Sequence, residues 1–305
     1  MAWFGVDIGG SGVRAARLSD EGTPLQWARR TLVEREWRAV CALVVEAIQE
    51  LCGAGESVDG VGVAVPGFVH GGCVVASPNF PMWDQVNIAG DLARTLDAPV
   101  VVENDANAAA LGVANGHRDA IVLTLGTGVG GGILSGGQLV RGASGFGAEV
   151  GHVFAGGSRR CGCGAVGCLE SSLGTWGLIA AAQEHGLPIA SHSPRAGEEL
   201  AAMAREGDTA ARQVFEQASE ALGRGLVTLV NLFQPSHIYI LGGLVGARDL
   251  LSGGIDHMHA HCIGASGPAI DVAWLGRADD AAVRGVAWAA MQRAHAQAID
   301  ENTHV

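Results

Sequence analysis

"AIVLTLGTGVGGGILSGGQLVRG", residues 120 to 142, decides the fold because it is the opening of the chain written a second time. An apolar run that ends on glycines and resumes as another apolar run reads as strand, Gly-rich turn and strand. The first copy is "WFGVDIGG" (3 to 10) followed by "SGVRAARLS" (11 to 19), with a third strand in "PLQWARRTL" (24 to 32). The copies share an architecture and little sequence beyond the glycine turns.

Outward from these copies, strands alternate with helices. Residues 35 to 52 carry helical spacing, with Val40, Leu43, Val44, Ala47, Ile48 and Leu51 on one face. "VDGVGVAVPG" is a buried strand ended by Pro66-Gly67, "NIAGDLARTL" a helix, and "PVVVEND" another buried strand. "ANAAALGVANG" is a short helix closed by Gly116. Beyond the second copy, residues 173 to 233 read as mostly helical, "HIYILGG" and "AIDVAWLG" as strands, and "DDAAVRGVAWAAMQRAHAQAI" as a closing helix. This alternation predicts a layered α/β architecture. "NGHRD" (115 to 119) divides a smaller N-terminal lobe, 1–117, from a larger one, 118–305. The closing helix near 280–298 is expected to pack back on the first lobe, and the default ligand site lies in a cleft between the two.

The composition excludes several classes. With 305 residues, 48% hydrophobic and 16% charged, the chain suits a globular protein with a sizeable core. The net charge of -12, from 19 Lys+Arg against 31 Asp+Glu, disfavours nucleic acid as a partner. No apolar stretch is long enough for a membrane span, and no basic segment precedes an apolar one as in a signal peptide. Seven cysteines, four of them isolated (Cys41, Cys52, Cys73 and Cys262), argue against a disulfide framework and for a reducing cytoplasm.

Four motifs carry chemistry. In "VDIGGSGV", Gly9, Gly10 and Gly12 allow backbone N–H groups to approach an anion, Ser11 adds a hydroxyl, and Asp7 is placed to orient Mg²⁺. A plain β-hairpin is the competing reading of this segment alone. Gly126, Thr127, Gly128 and Gly130 repeat the pattern in the second half, with Thr127 in the role of Ser11. Gly242 and Gly243 supply a third glycine edge suited to an adenosine. Two such hairpins, each opening a half, suit a nucleotide clamped between lobes.

In "ENDANAAALG", Asp105 stands where a buried strand becomes a helix, and the helix dipole favours its ionised form. It reads either as a functional carboxylate or as an N-cap. Asn104 beside it offers a donor and an acceptor to a hydroxyl-rich ligand.

"CGCGAVGCLE" (161 to 170) follows "GAEVGHV". Cys161, Cys163 and Cys168 with His152 make a Cys₃His set of the structural zinc type. A redox role would call for a C-x-x-C pair at a helix start, which is not found here. Zinc would fix the loop that carries Glu149, His152 and Glu170, whose polar atoms then bind the hydroxyls of a polyol. Loss of a ligand, as in Cys163→Ser, is expected to abolish activity and sugar binding without touching the nucleotide hairpins.

Taken together, "DIGGSG", "VPG", "ENDANAAALG", "LTLGTGVGGGIL", "GAEVGH" and "CGCGAVGCLE" resemble the ROK family of sugar kinases, over nearly the whole chain. The resemblance implies a two-lobed actin-like ATPase (ribonuclease H-like) fold with the active site in the inter-lobe cleft, ATP with Mg²⁺, structural Zn²⁺ and often a homodimer. It makes Asp105 the general base, and Asn104, Glu149, His152 and Glu170 sugar contacts. His152, Cys161, Cys163 and Cys168 become the zinc ligands. "SPNFPMWDQVNIAGDL" is similar to the glucokinase-like members, with Asn79 as a further sugar contact. The expected reaction is transfer of the γ-phosphoryl group of ATP to the 6-hydroxyl of a hexose, glucose first. Fructose, mannose, allose, N-acetylglucosamine and N-acetylmannosamine remain alternatives.

One departure concerns the donor. The family commonly has Thr followed by Lys or Asn where this chain has Ser11-Gly12, as in the branch that uses polyphosphate. The complete cysteine cluster and "GTGVGGG" resemble the ATP-dependent members. The family also contains sugar-sensing transcriptional regulators with an N-terminal helix-turn-helix. Here the first strand begins within a few residues of Met1, which makes a regulator the minor alternative.

Overall fold

The computed structural model describes residues 1–53, 55–114, 116–193, 195–263, 270–276 and 280–303, apart from the side chains of 297–303. The chain forms two compact units, Met1–Asn115 with Arg141–Gly147 and Asp279–Val305, and Gly116–Val140 with Ala148–Ala278.

The first unit opens with β1 (Trp3–Gly9), β2 (Gly12–Leu18) and β3 (Pro24–Thr31), an antiparallel meander. Helix α1 (Trp37–Leu51) starts on Glu36, whose carboxylate accepts the N–H groups of Arg38 and Ala39. Then come β4 (Gly60–Val65), a short hairpin of β5 (Phe68–His70) and β6 (Cys73–Ala76), α2 (Ile88–Leu96), β7 (Val100–Asn104) and α3 (Asp105–Ala114). The sheet order is β3-β2-β1-β4-β7, with β1, β4 and β7 parallel.

The second unit repeats the plan. It contains β8 (Ala120–Leu125), β9 (Val129–Ser135), β10 (Gln138–Leu139), α4 (Glu170–Leu173), α5 (Thr175–Glu184), α6 (Ala196–Glu206), α7 (Thr209–Phe233), β11 (His237–Gly242), α8 (Arg248–His261) and β12 (Asp271–Gly276). Its order, β10-β9-β8-β11-β12, matches the first sheet strand for strand, again with a parallel trio, β8, β11 and β12. Helix α9 (Ala281–Thr303) then returns to the first unit.

The central strands are buried on both faces, which explains their near-continuous apolar runs. Phe4, Val6 and Ile8 of β1 pack with Val40, Val44 and Ile48 of α1 and Ile88 and Leu92 of α2. On the opposite face Trp3 packs with Val283 and Ala287 of α9. In the second unit Ile121, Leu123 and Leu125 join Leu222 and Leu226 of α7 in one cluster. Among the described residues no helix is long and apolar enough to cross a membrane.

Candidate active site

In open α/β sheets ligands bind beyond the carboxyl ends of the parallel strands. Both sheets place their polar motifs at that edge. In the first unit β1 ends at Gly9, β4 runs into Pro66-Gly67 and β7 ends at Asn104, so three of the quoted motifs share one edge.

Hydrogen bonds lock these segments together. Asn104 Oδ1 accepts the N–H groups of Ala106 (2.9 Å) and Asn107 (3.0 Å), so Asn104 is the N-cap of α3. Its Nδ2 donates to the Gly67 carbonyl at 2.9 Å, which leaves one amide hydrogen for a ligand. Asp105, partly buried, begins the helix, and its Oδ1 accepts from Ala106 N at 2.9 Å. The cap expected of Asp105 on one reading of the sequence is thus carried by Asn104. Buried Glu103 accepts from Asn107 Nδ2 (3.1 Å) and pairs with Arg141, whose Nε and Nη2 lie 2.8 and 2.7 Å from Oε2. That pair ties segment 141–147 to the strand that carries Asn104.

Asn79 is exposed on a loop pinned at several points. Ser77 Oγ donates to the Pro66 carbonyl at 2.6 Å, and the stacked rings of Phe80 and Trp83, both 1% exposed, anchor the loop in the core. Arg35 donates to the carbonyls of Asn79 and Gly10, each at 3.1 Å, and so braces this loop against the first glycine turn. Asp7, facing Arg14 across the β1–β2 ladder, accepts from Arg14 Nε at 3.2 Å and from Nη2. Both bonds fall on Oδ2, and among the described residues no donor reaches Oδ1. An oxygen ligand of this kind suits Mg²⁺.

In the second unit the turn Gly126–Gly128 joins β8 to β9 and is fastened to the start of α5. Thr175 donates to the Gly126 carbonyl through N (3.0 Å) and Oγ1 (2.8 Å). A cavity of about 590 Å³ opens beside it, lined in part by Gly126, Thr127, Trp176, Ile179, Arg195 and Gly243. Gly126, Thr127 and Gly243 were legible as nucleotide-type glycine edges; Trp176, Ile179 and Arg195 were not. Gly128, Gly130 and Gly242 lie in the same turn and strand ends without lining the cavity. The volume is that of a small-molecule site.

The cysteine loop is a narrow β-ribbon, with bridges between Phe154 and Cys168 and between Arg160 and Val166. It gathers His152, Cys161, Cys163 and Cys168 so that their ligand atoms lie within 4.8 Å of one another. Cys161 Sγ is 3.6 Å from His152 Nδ1, and Cys163 Sγ is 3.7 Å from Cys168 Sγ. A tetrahedron with zinc–sulfur bonds of about 2.3 Å has edges of about 3.8 Å, so the residues fit zinc. Burial pushes the Cys168 thiol up to about 12 and raises Cys161 as well, while the Ala165 N–H lowers exposed Cys163. A cation would hold all three as thiolates. Neither neighbouring arginine reaches a sulfur: Arg159 bonds Glu184 and the Ser171 carbonyl, and Arg160 the Gly164 carbonyl.

Glu170 leaves this ribbon toward the hairpin. Its Oε1 lies 3.6 Å from Cys161 Sγ, and its Oε2 accepts the N–H of Val129 at 3.1 Å. A Cβ on Gly128 would stand 2.2 Å from that same oxygen, so a side chain there would displace the Glu170 carboxylate from the turn. One carboxylate therefore bonds both the cysteine loop and the second hairpin. Glu149 precedes the short helical turn that carries His152; partial burial raises its carboxyl above the ordinary range, and the Glu170 charge adds to this while His152 opposes it.

Known proteins resemble this chain in sequence and fold. The model of the ROK family matches residues 3–293. A glucokinase of Thermotoga maritima is 34% identical over 268 residues, covering 82% of this chain and 84% of that protein. An N-acetyl-D-glucosamine kinase of Escherichia fergusonii is 31% identical over 286 residues, 86% of this chain and 90% of that protein. Among solved structures, a ROK family glucokinase from Streptomyces griseus in complex with glucose and AMPPNP superposes with a TM-score of 0.75 at 29% identity, over 96% of this chain and all of that one.

Proposed function

The chain belongs to the ROK family, and from that premise we propose that it is an ATP-dependent hexose kinase whose first substrate is glucose, phosphorylated on the 6-hydroxyl. The observation that carries this reading is the second glycine turn opening into the 590 Å³ cavity, with Trp176 and Ile179 at its side. Bare N–H groups of the turn face the phosphates, and the apolar side chains take the purine.

In this reading Asp105 accepts the proton of the sugar hydroxyl as its oxygen attacks the terminal phosphorus in line, displacing ADP. The fold supports that role by giving the cap of α3 to Asn104. Asn79, the remaining Asn104 amide hydrogen, Glu149, His152 and Glu170 bind the other hydroxyls. Asp7 would hold Mg²⁺, which when bound would offset phosphate charge. His152, Cys161, Cys163 and Cys168 hold a structural zinc ion, whose work is to keep the Glu149–Glu170 segment in shape. If Nδ1 of His152 faces the metal, Nε2 is left for the sugar. The free thiols suit a cytoplasmic enzyme, and a homodimer is the expected assembly.

A coupled ADP-release assay tests the reading across glucose, fructose, mannose, allose, N-acetylglucosamine and N-acetylmannosamine, with ATP and polyphosphate as donors. The expected result is the highest kcat/KM with glucose and ATP. Hexose-independent ATP consumption, or none with any sugar, contradicts it.

A further inference from the structure

The first glycine turn lacks a side chain at its last position for a steric reason. A Cβ on Gly12 would stand 2.5 Å from the Arg30 carbonyl of β3, so no side chain fits there unless β3 moves. The next side chain along β2 on that face is the cation Arg14, two residues on, since alternate residues of a strand share a face; Arg35 meets the turn separately, at the Gly10 carbonyl.

The ladder registers place Arg14 in a charged row across the sheet. Arg29 of β3, Arg14 of β2, Asp7 of β1 and Glu103 of β7 lie on one line, with Ala64 of β4 between the acids. Glu103 is already neutralised by Arg141, and Asp7 is shared with Arg14. Among the described residues Arg29 makes no ion pair, so the row carries a surplus of positive charge. The Asp7 side chain is 11% exposed, whereas that of Arg14 is 37% exposed and its guanidinium is within reach of a ligand. The sequence holds no lysine at all, so no side-chain ammonium is available to a phosphate group bound by this chain, and guanidinium is its strong side-chain cation.

We propose that Arg14 is a phosphate-binding residue: Asp7 holds its guanidinium in the ligand-free chain, and it passes to the terminal phosphoryl group of the phosphate donor on binding. Asp7 is then left for the divalent cation that accompanies such phosphates. The ligand chemistry is a phosphoanhydride chain, from ATP or from polyphosphate. The exchange leaves neither side chain without a counter-charge, because the guanidinium trades one anion for another while the cation replaces it at Asp7. The inference rests on the kinase reading above and goes further in naming the cation that the sequence pattern left unassigned.

The test is calorimetry with adenosine, AMPPNP and tripolyphosphate, each with Mg²⁺, on the wild-type chain and on Arg14→Met and Arg14→Lys. Loss of a charge-assisted contact predicts AMPPNP binding weakened about 10- to 100-fold in Arg14→Met. Adenosine affinity is expected to be unchanged, and Arg14→Lys to recover part of the loss. AMPPNP much tighter than tripolyphosphate in the wild type identifies ATP as the donor; the reverse order identifies polyphosphate. Wild-type AMPPNP affinity in Arg14→Met overturns the proposal, and so does equal weakening of adenosine and AMPPNP. A wild-type chain that binds none of the three ligands overturns the kinase reading itself.

Discussion

The two glycine turns are the same device at the same place in two matching sheets, yet they are held in different ways. The first, between β1 and β2, is surrounded by charge: Asp7 with Arg14 behind it and Arg35 bonded to the Gly10 carbonyl. The second, between β8 and β9, is held by neutral groups of Thr175 and by a single carboxylate, Glu170, that arrives from the cysteine loop. A turn of bare N–H groups needs only to be kept in shape, so its supports are packing and a metal-fixed ribbon. On the kinase reading proposed above, the first turn stands beside the reacting bond and needs charge that can change partners as well. In that reading the first unit carries the general base and the charge that meets the terminal phosphoryl group, and the second carries the rest of the nucleotide and the zinc.

Removing the base should give the largest effect. Asp105→Asn keeps the shape of the helix start and leaves the Asn104 cap in place. Turnover should fall about 10²- to 10⁴-fold, with binding of AMPPNP to the second unit unchanged. Steady-state kinetics and calorimetry decide this together. Turnover close to wild type would move the chemistry away from the first unit and dissolve the contrast.

A smaller effect is expected from Cys163→Ser, and it sharpens the comparison. Zinc content should drop from about one ion per chain, and sugar affinity should weaken about 10- to 100-fold as Glu149, His152 and Glu170 lose their hold. Because Glu170 also accepts the Val129 N–H, AMPPNP affinity should fall too, by only a few-fold. Metal analysis and calorimetry with each ligand separate these parts. Nucleotide binding untouched by loss of the metal would mean that Glu170 does not couple the ribbon to the turn.

Much of this contrast could be read from the sequence, though unevenly. The paired hairpins, the buried strands and α9 are legible because glycine breaks and apolar runs are local signals. Helix α8 was not, since Gly253-Gly254 interrupts its apolar spacing and packing of Leu251 and Met258 sustains it instead. The β5–β6 hairpin is too short to show a period. The residues of the cysteine cluster could be named from spacing alone, because zinc ligand sets recur at short separations. The Glu170–Val129 bond could not, as the two residues lie 41 positions apart. The same limit hid the division of labour between Asn104 and Asp105, which depends on which neighbour turns its oxygen back to the helix. Trp176 was missed because an aromatic residue within a helix reads first as core.

The central claim is that the chain moves a phosphoryl group from ATP to a hexose hydroxyl. Phosphorus NMR of a reaction containing glucose, ATP and Mg²⁺, followed to completion, measures it directly. The account predicts one 6-phosphate ester formed for each ADP released and no inorganic phosphate. Inorganic phosphate in place of the ester, or an unchanged ATP spectrum, would contradict it.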